Sequence, residues 1–184
     1  MVESYQRVED IRNIRIRYKN SNEELCTSAC KNSTIGTKTT RVIFEMFYEQ
    51  VTWHEAEEKC RDKSNETSLA AFFSEEEHHL IILGLPRLLA CWIGGRAQRS
   101  QRDQRVVKNQ FSMTARSWEW IVGRNGKDPE PICYHSWSEN EPNGELRNED
   151  CIETYSAYEW IYWNDQNCDD KVEAYICQTR QLLE

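Results

Sequence analysis

The chain has 184 residues, a formal net charge of −8 and 11% aromatic residues, with seven Trp and eight Tyr. That length suits one domain plus an extension and is enough to bury a core, while the aromatic content argues against disorder. The acidic balance excludes a general nucleic-acid binder, which relies on basic faces to displace phosphate counterions.

Residues 1–40 are polar and read as an amino-terminal extension. Within it Ile14-Arg-Ile-Arg-Tyr18 alternates as a strand does, and SNEELCTSACKNSTIGTKTT reads as a loop. The texture changes at Arg41, where a domain over 41–180 begins with the strand-like run RVIFEMFYEQ. Thr52, with Glu55 three residues on, forms a capping box that predicts a helix through TWHEAEEKC. Ser74 repeats the device before SEEEHHLIILGL, whose apolar half ends at Gly84 and Pro86. Five short aromatic or apolar pieces follow: ACWIGG, SWEWIVG, EDCIETY, YEWIYWND and VEAYICQ. Bounded by turn residues, they predict a small sheet, and the segregation of helices from strands points to an α+β fold.

Eight cysteines with no CxxC pair and no regular Cys/His spacing predict a disulfide set rather than a zinc site. Two Asn-x-Ser/Thr triplets, at Asn32 and Asn65, are candidate glycosylation acceptors and fit a secretory route. No apolar run approaches the roughly 18 to 20 residues of a membrane span, and MVESYQRVED lacks the apolar core of a signal peptide. The expectation is an extracellular protein, either a mature secreted piece or a trimmed ectodomain.

Enzyme signatures are missing. HEAEE at 54–58 places Glu58 where a zinc protease motif needs its second His. Neither a nucleophile elbow, a Walker loop nor a dinucleotide fingerprint occurs, so the chain is read as a binding protein. The unusual stretch is Glu139-Asn-Glu-Pro-Asn-Gly-Glu-Leu-Arg-Asn-Glu-Asp-Cys151, with five acids and three Asn against the single Arg147. As a bare loop it would repel itself. Carboxylate and carboxamide oxygens without His or thiol suit a hard cation, and Ca²⁺ accepts looser geometry than Mg²⁺. Lacking the EF-hand spacing, such a site needs a second oxygen source, which Trp163-Asn164-Asp165 supplies.

With that triplet the chain resembles the C-type lectin-like domains over most of residues 41–179. RVIFEMFYEQ, TWHEAEEKC, LAAFFSEEEHHLI, ACWIGG, EPN, EDC, WND and AYICQ fall in that family's order. The resemblance implies a C-type lectin-like fold with Ca²⁺ held by Glu141, Asn143, Glu149, Asn164 and Asp165, and a cis bond before Pro142. The same five residues would read the sugar. Glu-Pro-Asn implies equatorial 3- and 4-hydroxyls, hence mannose, glucose, N-acetylglucosamine or fucose, where Gln-Pro-Asp would imply galactose. The expected partners are glycans or glycoproteins ending in such sugars. A protein-recognition module with structural calcium is the alternative. Gly144 stands where the family's auxiliary calcium site commonly has an acid, which puts a second ion in doubt.

By the same resemblance Cys60 pairs with Cys177 and Cys151 with Cys168. Of the remaining four, Cys26 is matched with Cys30 and Cys91 with Cys133, although sequence does not fix that connectivity. A basic insert over 96–117 repeats cations at every third residue: Arg96, Arg99, Arg102, Arg105 and Lys108. It reads either as a patch for sulfated glycans or as a solvated face, and the second is the commoner fate of charge runs. Of the aromatic cluster Tyr155, Tyr158, Trp160, Tyr162 and Trp163, most is assigned to the core, with one ring left to pack against a sugar.

Overall fold

The capping box at Thr52 and the strand-like runs on either side of it set out the frame of the molecule. In a computed structural model of the chain, the described residues are 6–10, 13–20, 40–82, 90–98, 117–122, 128–144, 148–157 and 160–182. In chain order they form β1 (Gln6–Asp10), β2 (Asn13–Asn20), β3 (Thr40–Phe47), α1 (Trp53–Arg61), β4 (Thr67–Leu69) and α2 (Glu75–Ile82). Then come β5 (Ala90–Ala97), β6 (Trp118–Val122), β7 (Asp128–Pro131), β8 (Cys151–Ala157), β9 (Trp160–Gln166) and β10 (Ala174–Leu182). The sheet runs β1-β2-β3-β10-β5-β6-β7, with β4 on β10 and the β8–β9 hairpin on β5. All pairings are antiparallel except β10 with β5.

Thr52 caps α1 as the sequence predicts. Its hydroxyl accepts from Glu55 N at 3.2 Å, and its own N–H donates to Glu55 Oε2 at 2.8 Å. The stripe Trp53, Ala56, Glu57 and Cys60 faces inward. Trp53 Nε1 donates to Ile93 O and Trp92 Nε1 to Val51 O, each at 2.8 Å, so both buried indoles have their partner. Glu57 is buried as well. It accepts from Leu69 N at 2.8 Å and is paired with Arg61, which ties the helix to β4. Gly94 and Gly95 allow close approach on β5: an added Cβ would lie 3.0 Å from Leu69 O at the first and would run into the Ile152 side chain at the second.

The short β4 and the proline-bearing β7 are strands that sequence periodicity does not reveal. β4 has three residues, all buried, and β7 lies at the end of the sheet path, where proline is tolerated. On the other side β2, whose centre is the predicted strand at 14–18, pairs with β3 and is itself joined by β1.

Two disulfides join pairs of described residues. Cys60–Cys177 fastens α1 to β10, and Cys151–Cys168 joins the start of β8 to the segment after β9. The expected bond between Cys91 and Cys133 does not form. Cys91 carries a free thiol, fully buried in the core on β5, where it packs as a small apolar residue. Burial pushes its pKa up, with Glu173 and Glu153 adding to the effect, so the thiol is inert. Cys133 is disulfide-bonded, but not to Cys91. The pairing expected for Cys26 with Cys30 lies outside the described residues.

Trp163 sits at the centre of the core with no exposed surface. The rings of Phe72, His78, Trp120, Tyr134 and Trp137 surround it at centroid distances of 5.2 to 6.4 Å. His78, 2% exposed, accepts from Trp163 Nε1 at 3.3 Å and bonds Tyr134 Oη through Nδ1 at 2.9 Å. Accepting at Nε2 places the ring proton on Nδ1. Burial, with a smaller contribution from His79, lowers its pKa to about 4. The unfolded chain therefore takes up this proton first as pH falls through 6.5. The His78 contribution to stability is expected to decline by about 3 kcal/mol between pH 6.5 and 4. Denaturation midpoints measured across that range should fall less steeply for His78→Gln than for the unsubstituted protein.

Candidate functional site

The site forms where the loop between β7 and β8 runs back along β9. Trp137 makes a parallel bridge with Trp163. Trp163 N donates to Ser136 O at 2.8 Å, and Ser138 N donates to Trp163 O at 2.9 Å. These contacts fix the loop's entry beside Asn164 and Asp165, the next residues of β9. The chain then turns at Asn140 (φ 69°), passes a cis Glu141–Pro142 bond and turns again at Gly144 (φ 57°). Asn and Gly are the residues that tolerate this left-handed backbone.

Asp165, 2% exposed, organises the loop with both oxygens. Oδ1 accepts from Asn143 N at 3.0 Å and Oδ2 from Gly144 N at 2.9 Å. Glu141 closes onto the same residues: Oε2 accepts from Asn143 N at 3.1 Å and Oε1 from Asn143 Nδ2 at 2.8 Å. Its carboxyl also meets that of Asp165. Burial first, then the contact with Asp165 and the charge there, pushes Glu141 up to about 7. Two carboxyls held this closely require a proton or a cation between them. The available donors are carboxylate and amide oxygens, a set that fits a hard cation of the calcium type. Gly144 adopts a backbone that an acid would adopt only with strain, and its N–H serves Asp165.

The structure thus brings Glu141, Asn143 and Asp165 together. Glu149 is buried just before β8, and Asn164 is half-buried on β9 with its amide turned to Glu153 across the hairpin, Nδ2 to Oε1 at 3.0 Å. Among the described residues no three His, Cys, Asp or Glu side chains are gathered as a metal cluster, so Glu149 is not drawn into one with the Glu141–Asp165 pair. Sequence reading passes over Glu153, because nothing in EDCIETY shows which side chain faces Asn164; the cross-strand register supplies that.

Arg96, the first cation of the basic insert, is engaged by the fold. Its guanidinium lies 3.7 Å from Glu119 and 6.0 Å from the centre of the Trp53 ring. It lines a cleft of about 520 Å³ with Trp53, His54, Arg61 and Ile121. Arg99, Arg102, Arg105 and Lys108 lie outside the described residues, as does Asn32. Asn65 is exposed in the turn before β4.

Two helices, the mixed sheet and the paired disulfides define a C-type lectin-like fold. The chain matches the model of the Lectin C-type domain over residues 49–179 and belongs to that family. It is 28% identical over 141 residues to a C-type lectin of the lectoxin kind from Thrasops jacksonii, covering 74% of this chain and 76% of that protein. The C-type lectin Cal of Crotalus atrox is also 28% identical, over 139 residues, covering 76% and 90%. Among solved structures, the C-type lectin domain of murine dendritic cell inhibitory receptor 2 in complex with N-glycan aligns with a TM-score of 0.54. Its identity is 23%, with 75% of this chain and 91% of that one covered. A calcium-independent type II antifreeze protein aligns equally well, with a TM-score of 0.54, 24% identity and coverages of 82% and 92%. The fold therefore does not decide calcium dependence; the residues in the loop must. No helix of the described residues is long and apolar enough to cross a membrane.

Proposed function

We propose that this domain binds carbohydrate through calcium held at the loop, with a preference for mannose-type sugars, and performs no catalysis. The observation that carries the reading is the Glu141–Asn143–Asp165 constellation. It sets two carboxyls in contact and an amide donor 2.8 Å from a carboxylate acceptor, in the Glu-Pro-Asn order. Glu141, Asn143 and Asp165 would hold the ion, and the family resemblance adds Glu149 and Asn164 as further ligands. Calcium supplies charge neutralisation and coordination positions that two sugar hydroxyls can fill. Beside it Asn143 donates to one hydroxyl and Glu141 accepts from its neighbour, and this pairing of donor and acceptor selects vicinal equatorial hydroxyls. A protein-binding role with structural calcium would use the same ion without this selection. Disulfides at Cys60–Cys177 and Cys151–Cys168 support an extracellular setting.

A single shallow site of this kind gives millimolar affinity, about −4 kcal/mol, and useful avidity comes from several sites acting together. A glycan array probed with and without calcium tests the reading: signal is expected on terminal mannose, glucose, N-acetylglucosamine or fucose. Exchanging the donor and acceptor pattern with Glu141→Gln and Asn143→Asp should move preference toward galactose. Loss of all sugar binding without that shift, in a variant that still binds calcium, would contradict the orientation argument.

A further inference from the structure

Glu153 stands directly opposite Asn164 in the β8–β9 register. Asn164 Nδ2 donates to Glu153 Oε1 at 3.0 Å. A carboxylate accepts and an amide nitrogen donates, so the bond fixes the amide's sense: nitrogen toward Glu153, Oδ1 turned away from it. An asparagine without such a partner can present either end, because the two orientations have the same shape.

The setting of Glu153 is costly for a residue with only a packing role. It is half-buried, and the charges that act on it from Glu173, Asp170 and Glu149 are all negative.

We propose that Glu153 is a positioning residue for the cation site, orienting the Asn164 amide so that its oxygen, rather than its nitrogen, is offered as a ligand. The inference rests on the reading of Asn164 as a calcium ligand. Glu153 acts through that amide and does not itself hold the ion. Partners that orient metal ligands in this way commonly contribute about 10- to 100-fold in metal affinity.

The test is calcium titration of the full chain by calorimetry for Glu153→Leu, Glu153→Gln and Asn164→Ala, with thermal unfolding in chelator alongside. Glu153→Leu should weaken calcium about tenfold or more while the melting temperature in chelator holds or rises. Glu153→Gln retains an acceptor oxygen and should stay within about threefold of the unsubstituted protein. If Leu at this position does not fold, Glu153→Ala repeats the comparison with a smaller side chain. Unchanged affinity in the Leu or Ala variant, with Asn164→Ala weakened, overturns the positioning role and leaves the calcium site standing. Equal weakening in the Gln and Leu variants also overturns it, since charge rather than orientation would then be the cause. Unchanged affinity in Asn164→Ala removes the ligand assignment itself.

Discussion

Asp165→Ala is expected to weaken calcium binding by at least about 100-fold and to abolish calcium-dependent retention on sugar. The side chain is buried and its two oxygens receive the N–H groups of Asn143 and Gly144 at 3.0 and 2.9 Å. Removing it deletes one proposed ligand and takes the acceptor from Gly144 N, at a cost on the order of 1–3 kcal/mol where water cannot replace it, while Asn143 N keeps Glu141 Oε2. A loss of about 2.7 kcal/mol in ligand positioning alone is a factor of about 100. Asp165→Asn does not rescue, because an amide presents only one acceptor oxygen to a pair of donors. Calcium titration beside circular dichroism checks both halves, with the core spectrum expected to survive. A pH dependence accompanies this. The Glu141 carboxyl, raised to about 7, still carries its proton below that pH in the cation-free fold, so calcium must displace it. Calcium affinity should therefore fall as pH drops from about 7 toward the ordinary carboxylate range, with measurable proton release on binding.

Arg180→Ala is expected to destabilise the fold by about 3–5 kcal/mol, a large part of the roughly 5–15 kcal/mol that holds a domain together. Arg180 on β10 reaches Glu77 on α2 through both guanidinium arms, at 3.1 and 2.8 Å. It also donates to Ala71 O at 3.1 Å and Gln178 Oε1 at 3.2 Å, and its guanidinium lies 4.5 Å from the centre of the Phe73 ring. Glu77 is 1% exposed and accepts from Phe73 N at 3.1 Å as well. Deleting the arginine strands a buried carboxylate whose helix begins at this corner. Arg180→Lys should recover little, since an ammonium cannot make the paired contact. Glu77→Leu combined with Arg180→Met should recover most of the loss, because no charge is then left buried. Chemical denaturation of the four proteins measures these differences. A cost below about 1 kcal/mol for Arg180→Ala would mean that the pair behaves as an exposed salt bridge.

The local parts of this fold are legible in the sequence, and the long-range parts are not. Thr52 and Glu55 are three residues apart, so the capping box can be read directly, as can the aromatic run that becomes β9. Glu77 and Arg180 are separated by 103 positions, and nothing local to either forecasts their union. The three residues of β4 are too few for a period to show, and the prolines of β7 read as breakers, although a strand at the end of the sheet can hold them. Cys91 misleads for a related reason. Eight cysteines invite complete pairing, yet a cysteine pointing inward from β5 packs as a small apolar residue and needs no bond.

Within the site, Glu141, Asn143 and Asp165 are legible as residue types suited to calcium, and the fold gathers them. What sequence does not show is the division of labour. Asp165 spends both oxygens on backbone donors, and Gly144 occupies a left-handed turn that explains its identity better than a missing acid does. Asn164 leans on Glu153, a partnership set by the register of a hairpin and invisible in the order of the motif.

The most direct test of a calcium-dependent sugar site in this loop is chromatography of the intact chain on immobilised mannose. Retention in millimolar calcium, followed by release with chelator or with free mannose, is the expected result. Protein that is shown to be calcium-loaded by titration and still passes unretarded through mannose and every other monosaccharide matrix would contradict the account.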